Sequence, residues 1–342
     1  MEINKKLLLD IFRIPAESKK EQAMGNFIKS YLHYIQVPFR TDRKGNIFSF
    51  NGKKPFLSAH MDTVQDNSDT NLAQFIDIIR DSIISGLGVI GGDDKCGIYI
   101  ILHILTELEN KSDINFAFTV EEEIGTVGAR YLANNNKQEL SDCLYGIVLD
   151  RRGSSDIICQ YNGYGTLDFD NELEELGKKF NYKTTYGVLS DADVFKKFMS
   201  CANLSCGYYR AHTKQEFVII RHLENALNFT RDILINIKDS FDAPVELKTY
   251  KYGYWNGNPK KNEGWYDDPE MEEYFYGIFD NENNKKKGTK IVKTLPKDYD
   301  NCGMCYGKNN LKFLESLQDF FCDGCIRGLI EELMEKFEEE AL

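Results

Sequence analysis

The chain has 342 residues, 42% of them hydrophobic and 28% charged, which suits a folded globular protein with one large domain plus an appendage, or two domains. Its 54 acidic against 42 basic residues leave a formal net charge of -12, which disfavours broad binding to nucleic acid or to an anionic membrane. Nine cysteines, an odd number, with no apolar leader-like segment and no run near the ~20 residues of a membrane span, point to a reducing cytoplasm rather than a disulfide framework.

Residues 4–35 carry apolar positions at helical spacing interrupted at Pro15, which predicts two helices joined by a turn. Lys44-Gly-Asn46 reads as a tight turn between short edge strands over 37–40 and 47–50. A short buried strand is expected over 56–60, ending on His60 and followed by Met61-Asp62. The polar stretch 65–82 holds one short helical pattern, and 83–90 reads as part of a hairpin leading to Gly91-Gly-Asp-Asp-Lys-Cys-Gly97. There Asp93 and Asp94 precede an apolar helix over about 98–109. Acid at a helix start is favoured by the first-turn N–H groups and the dipole, so a capped helix explains the pair taken alone.

An apolar strand over 114–120 runs straight into Glu121-Glu-Glu-Ile-Gly125, with a helix over 128–134 behind it, and a strand over 144–149 ends on Asp150. Further strands are expected within 157–169 and helices over 171–180 and from Ser190-Asp-Ala192 to about Met199. A strand over 204–209 precedes Arg210-Ala-His212, and a long amphipathic helix covers 222–236. Residues 243–300, rich in Tyr, Asn, Lys and Gly, read as irregular connecting structure. The repeated alternation predicts an α/β domain over 1–242, a mostly parallel mixed sheet with helices on both faces. Ligands of such sheets bind beyond the carboxyl ends of the strands, where His60, Glu121, Glu122, Glu123 and Asp150 all fall.

Hard or borderline dications take carboxylates and neutral imidazoles, and two ions ~3.5–4 Å apart need one carboxylate to bridge them. The available set is His60, Asp93, Glu122 or Glu123, Asp150 and His212. With one bridging member it gives each ion three protein ligands and an open position. Asp62 is placed to accept a hydrogen bond from the other ring nitrogen of His60, and the glutamate that does not bind metal suits a general base. His33, His103 and His222 sit within helical patterns and read as packing or surface residues, and Cys96 and Cys206 as small apolar ones.

These motifs carry a family resemblance. His60-Met-Asp-Thr-Val64 resembles the H-x-D-T-V motif of the two-zinc exopeptidase and deacylase superfamily, which includes peptidase T, glutamate carboxypeptidases, aminoacylases and succinyl-diaminopimelate desuccinylase. Gly92-Asp-Asp-Lys-Cys-Gly97 resembles the peptidase T form of its bridging-aspartate motif, and Glu121-Glu-Glu-Ile-Gly125 with Gly128 its D-E-E-x-G-x-x-G motif. Ser190-Asp-Ala192 resembles its G-T-S-D-A segment, and Ala211-His-Thr-Lys-Gln-Glu216 its A-H-S-x-x-E motif. Residues 9–18 and 42–46 are similar to its N-terminal pattern, so the resemblance covers roughly residues 5–236.

The resemblance implies the zinc-dependent exopeptidase fold and two Zn2+ ions. Asp93 would bridge them, His60 and Asp150 would complete one site, and Glu123 and His212 the other. Glu122 would be the general base, with Asp62 behind His60, and Asp94 would not be a ligand. Asp142 and Asp156 stand as alternatives to Asp150. The implied activity is metal-dependent hydrolysis of amide bonds by an aminopeptidase or dipeptidase of small peptides. Deacylation of N-acyl amino acids or a related metabolite is the alternative, and a non-hydrolytic binding protein or acyl-transfer relative a third reading. Many members insert a lid or dimerisation domain before the last histidine; here only 151–211 lies in that interval, so the lid is expected to be missing.

At the other end, Cys302-Gly-Met-Cys305 and Cys322-Asp-Gly-Cys325 form two knuckles suited to one tetrahedral structural Zn2+, which predicts a small C-terminal module over 301–342. From Cys302 onward four basic residues face nine acidic ones, which argues against phosphate contacts.

Overall fold

The structure, a computed structural model, describes residues 3–64, 76–79, 81–85, 89–245, 311–314 and 319–322. The chain divides into two compact units, Met1–Glu246 and Leu247–Leu342. In the first, helix α1 (Lys5–Phe12) starts where the Asn4 side chain accepts from the Leu7 N–H, and it buries Leu7, Leu8, Ile11 and Phe12. Helix α2 (Gln22–Tyr34) follows and buries Met24, Ile28 and Leu32, positions four apart on one face.

The main sheet has eight strands: β1 (Arg40–Thr41), β2 (Ile47–Ser49), β3 (Phe56–His60), β6 (Asn115–Thr119), β7 (Gly146–Arg151), β8 (Asp156–Ile158), β9 (Lys183–Thr184) and β10 (Cys201–Ser205). Their order is β1-β2-β6-β3-β7-β10-β8-β9. The central four, β6, β3, β7 and β10, run parallel, and β2 and β8 flank them antiparallel. Parallel neighbours need crossovers, and helices supply them: α3 (Gly92–Glu107), α4 (Val127–Asn135), α5 (Lys137–Ser141), α6 (Leu167–Gly177) and α7 (Ala192–Phe195). The strands alternate between two cores. Leu57, Phe116, Phe118, Ile147 and Leu149 pack with α1, α2, α3, α6 and α8 (Ile220–Asn236). Phe56, Ala117, Val148 and Cys201 pack on the other face with α4, α5 and α7.

Helix α3 is buried all round from Cys96 to Leu105, as a uniformly apolar helix must be. Asp93 and Asp94 have non-helical backbone angles, so they form an entry to the helix rather than its first turn. Gly97 lets α3 meet β7 closely; a Cβ there would lie 2.4 Å from the Leu149 carbonyl oxygen.

A second, antiparallel sheet has the order β11-β12-β5-β4, made of β4 (Ile76–Ile79), β5 (Ser82–Ser85), β11 (Tyr208–Tyr209) and β12 (Phe217–Ile219). Within the stretch 65–82, where a short helical pattern is expected, residues 65–75 and 80 lie outside the described residues and Ile76–Ile79 form a strand. Ile76 is buried, Asp77 exposed and Ile78 half-buried, a period of two, and Ile78 pairs with Ile83. The strand expected over 204–209 breaks at Gly207, whose φ of +90° turns the chain from one sheet into the other. A Cβ there would stand 2.5 Å from the Leu223 nitrogen, so only glycine fits the corner. Two further expectations shift: after β8 the chain enters a turn and then α6, capped by Thr166, and α7 stops at Phe195. The segment 151–211 completes the sheet and adds β11, and holds no separate domain.

In the second unit β13 (Leu311–Leu314) and β14 (Asp319–Cys322) form an antiparallel hairpin with Leu311 opposite Cys322. Cys302, Cys305 and Cys325, the proposed C-terminal zinc module as a whole, and the connecting segment beyond 245 lie outside the described residues. Among the described residues no helix is long and apolar enough to cross a membrane.

Candidate metal centre

The parallel strands deliver four of the expected side chains to their carboxyl edge. His60 closes β3, Asp150 lies near the end of β7, and the turn after β6 carries Glu122 and Glu123. Asp93 enters from the start of α3, and His212 from the turn after β11, where its φ is +65°. Asp93 stands between the two imidazoles. Its Oδ1 is 3.0 Å from His60 Nε2 and its Oδ2 is 3.2 Å from His212 Nε2. Asp150 Oδ1 lies 3.6 Å from His60 Nε2, and Glu123 Oε1 lies 2.9 Å from His212 Nε2. Two overlapping triads result, His60–Asp93–Asp150 and Asp93–Glu123–His212, each with its donor atoms within 4.8 Å of one another.

Asp142 and Asp156, the alternatives to Asp150, are engaged elsewhere. Asp156 pairs with Arg151 at 3.0 Å, and Asp142 accepts from Gln138 at 3.0 Å. Asp150 itself is held by Asn203, which accepts from its backbone N–H at 3.0 Å and donates to its carbonyl at 2.8 Å.

Behind the triads the supports differ in one respect from expectation. His60 Nδ1 meets the backbone carbonyl of Asp62 at 2.8 Å, with the Asp62 carboxylate farther off at 3.5 Å. A carbonyl can only accept, so Nδ1 carries the proton and Nε2 faces the cluster. The buried Asp62 carboxylate instead accepts from Ser18 Oγ at 2.7 Å and from the backbone N–H groups of Glu122 at 2.8 Å and Glu123 at 3.2 Å. It therefore shapes the glutamate turn. Asp94 turns away from the centre and accepts from the His60 and Gly97 N–H groups. Two further residues, Glu216 from the Ala211–Glu216 motif and Lys95 from the Gly91–Gly97 stretch, hold the backbone here. Glu216, buried, accepts from the Gly91 and Asp93 N–H groups at 2.7 and 3.1 Å, and Lys95 donates to the carbonyls of Phe12 and Ile90. Glu216 closes the Ala211–His212 motif, but residue type alone does not say which amides it will meet.

So many acids in one buried place perturb one another. Burial pushes Asp150 up to about 8, with the Asp93 charge adding. Burial likewise pushes Glu122 up to about 9, where His60 opposes and Asp150, Asp191 and Glu123 add. Hydrogen bonds to Asp93 and then Glu123 lift His212 to about 10. Burial opposes ionisation of Asp93, but its bonds to His212 and His60 prevail and hold it well below the usual carboxylate range. A cluster of carboxylates converging with two imidazoles, each presenting its Nε2, has the donor chemistry that fits divalent cations.

The remaining histidines lie apart from this centre. His103 bonds Tyr99 and Glu107, His222 is buried beside Tyr209, and His33 packs against Phe39. Cys96 and Cys206 are buried, and burial raises both thiols well above their ordinary values.

Residues 56–162 match the model of peptidase family M20/M25/M40. That stretch contains His60, Asp93, Glu122, Glu123 and Asp150. Solved structures share the fold at low identity. The aminopeptidase PepT from Bacillus cereus is 15% identical, over 67% of this chain and 96% of that one, with a TM-score of 0.54. A tripeptidase from Staphylococcus aureus is 16% identical over 66% and 95%, with a TM-score of 0.55. The TET1 peptidase of Pyrococcus horikoshii is 14% identical over 69% and 100%, also at 0.55. No curated protein matches the chain in sequence. The family match supports a metal-dependent peptidase, and the matched motifs fall at the carboxyl edge of the sheet.

Proposed function

We propose that the protein is a dizinc exopeptidase, an aminopeptidase or dipeptidase that cleaves small peptides. The observation that carries this reading is Asp93, whose two carboxylate oxygens each face a different imidazole and so suit a bridge between two ions. His60, Asp93 and Asp150 would hold one ion, and Asp93, Glu123 and His212 the other. Bound zinc would polarise the scissile carbonyl, acidify the attacking water and lower the pKa of neighbouring carboxyls.

Glu122 is the proton carrier in this scheme. It follows β6 directly, is fixed through its own N–H by Asp62, and lies outside both triads. It accepts the proton of the attacking water and returns it to the leaving amine. Asp62 keeps the glutamates in place, and Glu216 fixes the backbone that presents Asp93. Cys302, Cys305, Cys322 and Cys325 are the proposed ligands of a further, structural zinc, and the protein would act in the cytoplasm on substrates free of nucleic acid and membrane.

Glu122→Gln tests the assignment. Turnover of tripeptides should fall by about 10²–10⁴-fold while zinc content, near three ions per chain, stays unchanged; a near-normal rate would sink the role of Glu122. Parallel assays with N-acetyl amino acids separate peptide cleavage from deacylation, and the likeness of fold to a solved aminopeptidase and a tripeptidase favours the former.

A further inference from the structure

Exposed apolar side chains scattered singly need no explanation, but a fixed group of them beside a reaction centre does. The loop that enters α7 reads Thr185-Tyr-Gly-Val-Leu-Ser190, without a charge in a chain of net -12. Tyr186 is 70% exposed and Leu189 75%, and Val188 is exposed as well. Mobility does not account for this, because the backbone is pinned. Gly187 exchanges two hydrogen bonds with the Asn162 side chain at 2.8 and 2.9 Å, and the Val188 carbonyl accepts from Tyr164 Oη at 3.1 Å. The exposed ring of Tyr161 packs on Tyr186 with centroids 4.9 Å apart.

The far end of the loop is tied to the metal centre. Two residues past Leu189, the buried Asp191 accepts from Thr119 Oγ1 at 2.6 Å, and Thr119 lies opposite His60 in the β3–β6 register. On the turn after β6, Ile124, also exposed, directly follows Glu123, and that turn is closed by the Gly125 N–H donating to the Glu122 carbonyl. No inserted domain within 151–211 covers these side chains.

We propose that Tyr186, Val188 and Leu189, extended by Tyr161 and joined by Ile124 at the metal centre, form the side-chain recognition surface of the enzyme, so that its substrates carry a bulky apolar residue next to the scissile bond. This rests on the peptidase reading and deepens it. A backbone-pinned apolar surface costs little ordering on binding and gains by losing contact with water, while a charged substrate side chain would be left without a partner.

The test uses the full-length zinc enzyme and two tripeptide series, one varying the first residue and one the second among Gly, Ala, Asp, Lys, Leu and Phe. Leu or Phe at one position should exceed Gly and Asp in kcat/KM by about tenfold or more. Leu189→Ser and Tyr186→Ser should each flatten that preference mainly by raising KM for the Leu and Phe peptides. Ile235→Ser, an exposed apolar residue on α8, should leave it in place. Equal melting temperatures would show that the variants fold. A flat wild-type profile, or variants that keep the preference, overturns the recognition surface while leaving peptidase activity standing. Hydrolysis of no peptide overturns both.

Discussion

Asp62 touches no proposed ligand atom, yet three groups converge on its carboxylate: the Ser18 hydroxyl and the amides of Glu122 and Glu123. Asp62→Ala would leave those donors without acceptors in a buried place, at about 1–3 kcal/mol for each one that stays dry. The expected outcome is a lower melting temperature together with a kcat reduced by about tenfold or more, because the proton carrier is no longer held. A variant with normal kcat would show that the turn is fixed by other means. The sequence made Asp62 visible through its spacing from His60 but assigned its carboxylate to the imidazole. The nearer partner of the ring is a main-chain carbonyl, at 2.8 Å against 3.5 Å for the carboxylate, and every residue has a carbonyl, so it leaves no mark in the residue types. Glu216 was hidden for the same reason, since its partners are the amides of Gly91 and Asp93.

The elements that carry the centre were the legible ones. Strands β3, β6 and β7 are short apolar runs ending in polar motifs, and α3 is an unbroken apolar stretch, patterns that tertiary packing reinforces. Elements whose form depends on distant partners were not. Residues Ile76 to Ile79 are a strand because β5 pairs with them, and β10 ends at Ser205 because Gly207, packed close against Leu223 of α8, turns the chain into the second sheet. The contact of α3 with β7 gives a test at this scale. In Gly97→Ala the added methyl would meet the Leu149 carbonyl at 2.4 Å and an Asp94 oxygen at 2.6 Å. Overpacking of this kind costs about 1–3 kcal/mol and would shift the start of α3 relative to β7, which carry Asp93 and Asp150. Calorimetry and zinc titration should therefore show lower stability and weaker metal binding together, and an unchanged zinc affinity would refute the coupling.

For the molecule as a whole, the crowded charges predict how it responds to chelation. Without metal, His212 is lifted to about 10 by its bonds to Asp93 and Glu123, while burial raises Asp150 to about 8, Glu122 to about 9 and Glu216 to about 8. All four lie above their ordinary values. Between pH 6.5 and 8 the folded chain holds protons that the unfolded chain has released, so stability falls as pH rises through that window. Melting after chelation should be lower at pH 8 than at pH 6.5, and added zinc should restore it with release of protons to the buffer. A rise in melting temperature over the same window would contradict the charge arrangement. The eight-stranded sheet also limits how the molecule can meet copies of itself. Its borders, β1 and β9, are two residues long, and each carries a cation, Arg40 or Lys183. Such truncated, charged margins offer a poor template for another strand, so the hydrogen-bonded ladder ends within each copy, and any assembly of this unit through that sheet must be built by side chains rather than by continuing the backbone pairing.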